Sequence, residues 1–384
     1  MAKYKIAFYC PDSHIEYNVH TLDRTGVGGG ITARIRTAHA LARIGHQVTA
    51  FVNCPREETI QGVRYVHYSN LKNLETEIFI VTTSGAGLDL GNLQADSVRA
   101  KKKFLMLSGV EYPQKTSADE YDYVYIPSDY IRKIAVENWH IKPQKIFTTY
   151  YGISSEHFKN NSKNKRDLKK IVYFSHPSKG LDSAIAVFRI LKRNDPSFTL
   201  HVYGGNKLWG EQENEISPES GLVYHGLIGQ KELAHCLQKI GFCLNLQSRE
   251  EPFGMVITES MAAGCLVLAS PVGAYLEIIN NGFNGFLIPG NHSEFVTNEM
   301  AAKLILYLLE NPDYVEYIRK NAINTPFSWH TIAKTWEGHW DWQLQTNHKQ
   351  DSFVNYIWGC SQCGGNLLPL ADGLHCIECG NYQK

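Results

Sequence analysis

No stretch of the 384 residues reaches the roughly 18 consecutive apolar side chains that a membrane-crossing helix needs. Neither sign of charge is in excess, with 38 Lys+Arg against 38 Asp+Glu, so there is no general pull toward nucleic acid or an acidic membrane surface. Gly-Lys-Ser/Thr is missing, which excludes a Walker phosphate loop. So is any Asp-x-Asp pair of the kind that holds a catalytic cation, and no catalytic metal is expected. The cysteines do not form a disulfide framework. Cys10, Cys54, Cys236, Cys243 and Cys265 are scattered, several in core-like runs, and four more crowd the end of the chain. That is the pattern of a reducing compartment with one metal site, so a cytoplasmic location is expected. The start, Met-Ala-Lys-Tyr-Lys then Ile-Ala-Phe-Tyr, is too short for a signal peptide and reads as a first strand. What is present is ordinary globular composition, 43% hydrophobic and 20% charged, at a length that suits two domains plus a small appendage.

One stretch organises the rest. Phe242–Leu246 is an apolar run that reads as a buried strand, and Pro252 and Gly254 make the chain beyond it a tight loop. A helix then starts near Gly254 and stops at Gly264, followed by a second strand, Cys265–Ala269. This is a strand-loop-helix-strand unit of a parallel sheet, in which ligands bind outside the carboxyl ends of the strands. Backbone N–H groups at the helix start, around Phe253, Gly254, Met255 and Val256, suit a phosphate. Glu251 lies in the loop and Glu259 about a turn and a half into the helix, so one carboxylate faces a ligand's reacting end while the other grips a more distant part. Carboxylates suit sugar hydroxyls, since each accepts two hydrogen bonds or more. The plainer alternative is a capping acid and a solvated Glu.

Before this unit, an apolar strand over 5–10 leads through a polar loop (His14, His20, Asp23, Arg24) to Gly28, Gly29 and Gly30, and then to an amphipathic helix whose apolar face runs from Ile31 to Ile44. Backbone can approach an anion closely at such a loop, although a flexible turn explains the glycines as well. Further strands are expected at Gln47–Val52, Val63–Tyr68, Ile78–Thr82, Lys103–Leu107 and Tyr123–Pro127, with Ser128 capping a helix that runs to about Trp139. The polar, basic segment Lys159–Lys170 reads as an interdomain linker. Beyond it come strand Ile171–Phe174, the loop Ser175-His176-Pro177-Ser178-Lys179-Gly180, helix Ser183–Lys192, strand Thr199–Tyr203, a loop-like region over 206–220, the stretch Val223–Gly226 and helices at Lys231–Ile240 and Ala301–Asn311. Lys179, between a strand and a helix, is favoured as a phosphate ligand over a merely solvated charge.

Glu251-Pro-Phe-Gly-Met-Val-Ile-Thr-Glu259, then Ser-Met-Ala-Ala-Gly, resembles the E-x7-E motif of retaining glycosyltransferases of family 4, and the order of elements is similar from about residue 3 to residue 342. The resemblance implies an α/β fold of two Rossmann-like domains facing a cleft (GT-B): an acceptor domain over 1–160, a nucleotide-sugar donor domain over 168–325, and a helix over 326–342 that crosses back to the first domain. It implies transfer of a sugar from a nucleotide diphosphate sugar to a glycan, lipid-linked or small-molecule acceptor hydroxyl, with retention of configuration. Glu251 would act on the donor sugar, Lys179 on the leaving diphosphate and Glu259 on the ribose. His176, Phe253, Gly254, Met255 and Val256 would line the donor site, and Gly28–Gly30 would face the diphosphate and the acceptor. Two positions depart from the family. Ser108 or Gly109 stands where relatives often carry a His, a role that His14 or His20 could fill. Ser175 or His176 stands where relatives place an Arg that binds the diphosphate with the Lys.

After a polar linker, Cys360-Ser-Gln-Cys363 and Cys376-Ile-Glu-Cys379 are separated by twelve residues. Paired C-x2-C knuckles signal zinc, with iron at a four-Cys site and a redox dithiol as the rival readings, and four thiolates leave no open position, so the ion would be structural. About 28 residues (357–384) hold too small a core, and metal would supply the folding energy. The segment resembles a zinc ribbon. It has no basic stripe, which argues against nucleic acid and for docking to a protein partner. Three functions remain in play: a transferase in polysaccharide or glycan synthesis, with peripheral attachment at the inner membrane face; a phosphorylase or epimerase on the same fold; and a degenerate transferase serving as a scaffold through its ribbon.

Overall fold

The computed structural model describes residues 3–83, 88–91, 93, 97–158, 166–213, 218–324, 327–345, 367–370, 373–376 and 382–383. The chain forms two compact units, Met1–Asp12 with Ala33–Gly152 and Pro326–Lys384, and Ser13–Thr32 with Ile153–Thr325.

The first unit is built on an eight-stranded sheet. Its strands are β1 (Lys5–Tyr9), β2 (Gln47–Val52), β3 (Glu58–Ile60), β4 (Val63–His67), β5 (Leu74–Thr82), β6 (Val98–Met106), β7 (Tyr123–Ile126) and β8 (Ile146–Thr148). They lie in the order β3-β4-β2-β1-β5-β6-β7-β8 and are parallel except for the β3–β4 pair. The central strands are buried on both faces, which is why they read as near-continuous apolar runs. Strands β5 and β6 begin earlier than expected, at Leu74 and Val98. Their first residues (Leu-Glu-Thr-Glu, Val-Arg-Ala-Lys) mix apolar with charged or polar side chains and are mostly open to solvent, so hydropathy conceals them, yet they pair in register. Helix α1 (Val19–Arg24), which belongs to the second unit, was not anticipated; it is a six-residue turn capped by Asn18. Helix α2 (Gly29–Arg43) and helix α3 (Asp129–Glu137) lie where periodicity places them, and the Ser128 hydroxyl accepts from Ile131 N at 3.2 Å as a cap should.

The second unit is a six-stranded, all-parallel sheet: β9 (Asp167–Ser175), β10 (Thr199–Gly204), β11 (Leu222–Gly226), β12 (Ile240–Asn245), β13 (Leu266–Ala269) and β14 (Phe286–Leu287), in the order β11-β10-β9-β12-β13-β14. Its helices are α4 (Ser155–Phe158), α5 (Leu181–Asn194), α6 (Gln230–Leu237), α7 (Met255–Ala263), α8 (Tyr275–Ile278), α9 (Phe295–Glu310) and α10 (Pro312–Ile323). Two expectations are corrected here. Asp167–Lys170 is not linker but the start of β9, where Asp167 pairs with Ile240 and Lys170 with Thr199. The helix expected over Ala301–Asn311 starts at Phe295, and Pro312, tolerated at a first helical position, opens a second helix at once. The core of this unit gathers Val187, Phe188 and Leu191 of α5, Phe242 and Leu244 of β12, and Ile305 and Leu308 of α9.

Helix α11 (Trp329–Gln345) belongs to the first unit. Trp336 and Trp340 are almost wholly buried, and Trp336 Nε1 donates to Thr149 Oγ1 at 2.6 Å. Strands β15 (Leu367–Leu370), β16 (Gly373–Cys376) and β17 (Tyr382–Gln383) form a small antiparallel sheet. Cys360, Cys363 and Cys379 lie outside the described residues, and so does any test of the metal site they would make with Cys376. No described helix is long and apolar enough to cross a membrane.

Candidate functional site

The carboxyl ends of β9 and β12 are neighbours in the second sheet, and the loops that leave them converge. Gly180 makes this convergence close. It sits at φ 96°, in the left-handed region, and a Cβ there would overlap the Leu246 carbonyl oxygen. The loop after β9 is thereby held against the end of β12, and Lys179, beside the glycine, donates from Nζ to Glu251 Oε2 at 2.8 Å. The lysine side chain is 22% exposed and the glutamate 12%, so the pair is largely shielded from solvent yet open on one side.

Below Glu251 lies a buried polar network. Tyr275 OH donates to Asn245 Oδ1 at 2.6 Å, and Gln247 Nε2 reaches Tyr275 OH at 2.9 Å, Asn245 Oδ1 at 3.0 Å and Glu251 Oε2 at 3.4 Å. Burial holds the Tyr275 phenol well above its usual range, so it stays a donor. Backbone hydrogen bonds fix the same loop, with Ala274 N donating to Glu251 O at 2.9 Å.

Helix α7 follows directly. Gly254, at φ 100°, precedes its first residue and offers no side chain to cap it, so its N-terminal end keeps its positive character. Gly264, at φ 83°, closes it in the manner expected. Most of α7 is buried, including Glu259 at 6% exposure, which accepts from Gln230 Nε2 at 2.8 Å. The plainer alternative of a solvated Glu and a capping acid is therefore wrong. Glu259 is buried and polar-paired, and Glu251 binds Lys179 rather than the helix end. Phe253 is 1% exposed, so it offers a ligand backbone rather than ring, while Met255 and Val256 are half-buried.

The glycine-rich loop lies in this unit as well. Gly28 packs against the Leu208 carbonyl, and a Cβ on Gly29 would stand 3.5 Å from Met255 Sδ. The loop is thus placed beside the start of α7. Gly28 and Gly29 are not in the left-handed region, so close packing and not backbone strain accounts for them. His14 and His20 fall in the same segment of the second unit, and Ser108 is buried in the first.

His176 is committed to structure. Its ring stacks on Trp209 at 3.6 Å and 8°, its Nε2 meets Glu211 Oε2 at 3.2 Å, and its Nδ1 accepts from Ser178 N at 3.2 Å. Sequence reasoning passed over two neighbours. Trp209 ends a short 3-10 helix, Asn206–Trp209, within the region read as loop. Its signal was an isolated aromatic between Gly205 and Gly210. Arg249 is exposed, donates from Nη1 to Ser178 Oγ at 3.1 Å, and holds its guanidinium 4.9 Å from the Trp209 ring centre. Its signal was only its place two residues before Glu251.

Two α/β units with parallel sheets, one carrying this pair of loops and an uncapped helix start, define a GT-B-like fold, and solved structures agree. The chain aligns over 88% of its length with 99% of Anabaena HepE, solved in complex with UDP-glucose, at a TM-score of 0.60 and 16% identity. It aligns over 89% of its length with the whole of the sucrose-phosphate synthase of Thermosynechococcus elongatus, at a TM-score of 0.64 and 16% identity. Residues 154–325 match the family Glycosyl transferases group 1, and this part of the chain is a glycosyltransferase domain of that group. An uncharacterized glycosyltransferase of Methanocaldococcus jannaschii is 33% identical over 158 residues, 40% of this chain and 42% of that protein. A D-inositol 3-phosphate glycosyltransferase of Streptomyces griseus subsp. griseus is 27% identical over 171 residues, 41% and 35% of the respective chains. The chain thus spans less than half the length of these two curated relatives.

Proposed function

We propose that this protein is a retaining family 4 glycosyltransferase, moving a sugar from a nucleotide diphosphate sugar to an acceptor hydroxyl. The observation that carries the reading is the Lys179–Glu251 contact at 2.8 Å, made by two loops at adjacent strand ends and followed by the uncapped start of α7. In use, Lys179 leaves Glu251 for the donor diphosphate, and the α7 N-terminus adds its dipole to the same charge. Glu251 is then released to orient the sugar and to stabilise positive charge developing at its anomeric carbon. The bond from that carbon to the diphosphate breaks. The acceptor oxygen bonds on the same face, and its proton passes to the departing phosphate. Glu259 holds the ribose hydroxyls, Phe253–Val256 present backbone to the donor, His176 supports the Lys179 loop, and Gly28–Gly30 lie toward the diphosphate and the acceptor. On this reading residues 168–325 bind the donor and residues 1–160 the acceptor.

The acceptor is a glycan, a lipid-linked sugar or a small molecule, with work at the cytoplasmic face of a membrane in polysaccharide assembly. The donor complex of the HepE structure makes UDP-glucose the first donor to try. For the tail, the four thiolates of Cys360, Cys363, Cys376 and Cys379 suit a structural zinc ion, and the β15–β16 hairpin ends at one of them. The resulting ribbon would dock a protein partner.

Thermal unfolding with UDP, GDP, ADP and their sugar conjugates tests the donor reading. A nucleotide at about 100 times its dissociation constant adds roughly 2.7 kcal/mol, a clear upward shift. The shift is expected for one base and is expected to weaken in Glu259→Ala. No shift with any nucleotide, together with no sugar transfer, refutes the proposal.

A further inference from the structure

We propose that Arg249 is a diphosphate-binding residue, supplied by the loop after β12 to a cation pair whose other member, Lys179, comes from the loop after β9. This rests on the donor-site reading above and adds a residue to it. Three features of the geometry carry it.

First, Arg249 is uncommitted. Among the described residues it has no carboxylate partner, and its guanidinium makes one hydrogen bond, to Ser178 Oγ, with five N–H donors available. Lys179, one residue along from Ser178, is already paired with Glu251. Two cations therefore converge on the Ser178–Lys179 turn, and only one of them is neutralised.

Second, Arg249 is held in place from outside its own loop. Trp209 lies 4.9 Å from its guanidinium carbon, and Trp209 is itself fixed by stacking on His176. The hydrogen bonds have a consistent direction. Ser178 N donates to His176 Nδ1, so that nitrogen carries no proton and accepts from the Ser178 hydroxyl at 2.8 Å. Ser178 Oγ is left to accept from Arg249 Nη1, and His176 Nε2–H donates to Glu211. The chain Arg249–Ser178–His176–Glu211 aims the guanidinium without using up its fork.

Third, the loop geometry limits what Arg249 can meet. It lies two residues before Glu251, and the loop after Glu251 opens α7. Lys179 follows the Ser178 whose hydroxyl already accepts from Arg249, so an anion that takes Lys179 meets the guanidinium beside it. A planar fork binds two oxygens of one phosphate or one from each of two, which a lysine cannot do.

The test uses the full-length protein and titration calorimetry. Of UDP, GDP and ADP, the one that binds the wild type is compared with its nucleoside and its monophosphate. Arg249→Ala is expected to weaken diphosphate binding about ten- to a hundredfold, the range of a charged hydrogen bond, while nucleoside affinity stays within about twofold. Arg249→Lys is expected to recover part of the loss. Equal weakening of nucleoside and diphosphate would show that Arg249 only shapes the loop, and undiminished diphosphate binding in Arg249→Ala would show that it takes no part; either overturns the proposal. Failure of all three nucleotides to bind the wild type refutes the donor site itself and this inference with it.

Discussion

Replacing Glu251 by Gln separates the two jobs assigned to the loop pair. The substitution keeps shape and removes charge. In the free protein it takes away the anionic partner of Lys179, whose side chain is 22% exposed against 12% for Glu251. Such a pair lies between exposed ion pairs, worth about 0–1 kcal/mol, and fully buried ones, which cost about 3–5 kcal/mol to break. Since Gln still offers an oxygen to the ammonium, a loss near 1 kcal/mol is expected, a shift of about 2–4 °C for a unit of this size. Diphosphate affinity should hold or rise, because Lys179 no longer has to leave a carboxylate. Turnover should fall by about 100- to 1,000-fold, the scale seen when one electrostatic stabiliser of a transition state is removed. The assays are nucleotide release at saturating donor and calorimetry with the free nucleoside diphosphate. Turnover within about threefold of wild type would refute the assignment of Glu251. A fall in diphosphate affinity that matched the fall in turnover would make Glu251 a holder of the ground state instead.

Three further outcomes are expected. Gly180→Ala must put a side chain at φ 96° and into the Leu246 carbonyl, which is backbone and cannot swing away. It should cost about 2–4 kcal/mol by denaturant melts and lower turnover with it, and a stable, active Ala variant would show that the loops need not approach so closely. His339 is buried against Phe147 and Tyr125, and desolvation, with a smaller contribution from Lys102, pushes its imidazole down to about 3. An unfolded His binds its proton near pH 6.5, so the folded state loses stability as pH falls below that value, by roughly 2 kcal/mol at pH 5, and His339→Gln should flatten that slope in melts followed by Trp fluorescence. Elemental analysis should find about one zinc per chain, removed by Cys360→Ser with Cys363→Ser, and a chain with no zinc would refute the ribbon.

The strands of both sheets were legible where they are buried on both faces, as in Ile240–Asn245 or Tyr123–Ile126, because a parallel sheet between helices demands continuous apolar runs. Where a strand's first half lies open, as in Leu74–Glu77 or Asp167–Lys170, hydropathy had nothing to report and only pairing reveals it. Glu251 and Lys179 could be picked out because each stands next to a glycine or proline that marks a loop between a strand and a helix. Arg249 and Trp209 could not. Their place follows from contacts between segments some 40 residues apart in sequence or more, Arg249 with Trp209 and with Ser178. The loop over Ser13–Thr32 shows the same limit. Strand β1 precedes it and helix α2 begins within it, yet Gly26, Gly28 and Gly29 lie against the Ile228 and Leu208 carbonyls and Met255, all in the second unit.

The network beneath Glu251 offers a test of positioning that leaves every ligand contact intact. Tyr275 OH has one proton and donates it to Asn245, while it accepts from Gln247, whose amide also reaches Glu251. Tyr275→Phe deletes both bonds and leaves the ring that packs against Gly254. Two buried groups lose a partner, so a cost of about 1–3 kcal/mol is expected. Gln247 keeps Asn245 at 3.0 Å and the long contact to Glu251 at 3.4 Å, but loses the 2.9 Å bond to the phenol that fixes its amide between them. Turnover should then fall about tenfold or more with little change in nucleoside diphosphate affinity, since displacement of a catalytic group by about 1 Å is enough for a large loss. A variant that loses stability but keeps its turnover would show that the network supports only the fold, and that the Lys179 loop alone sets the position of Glu251.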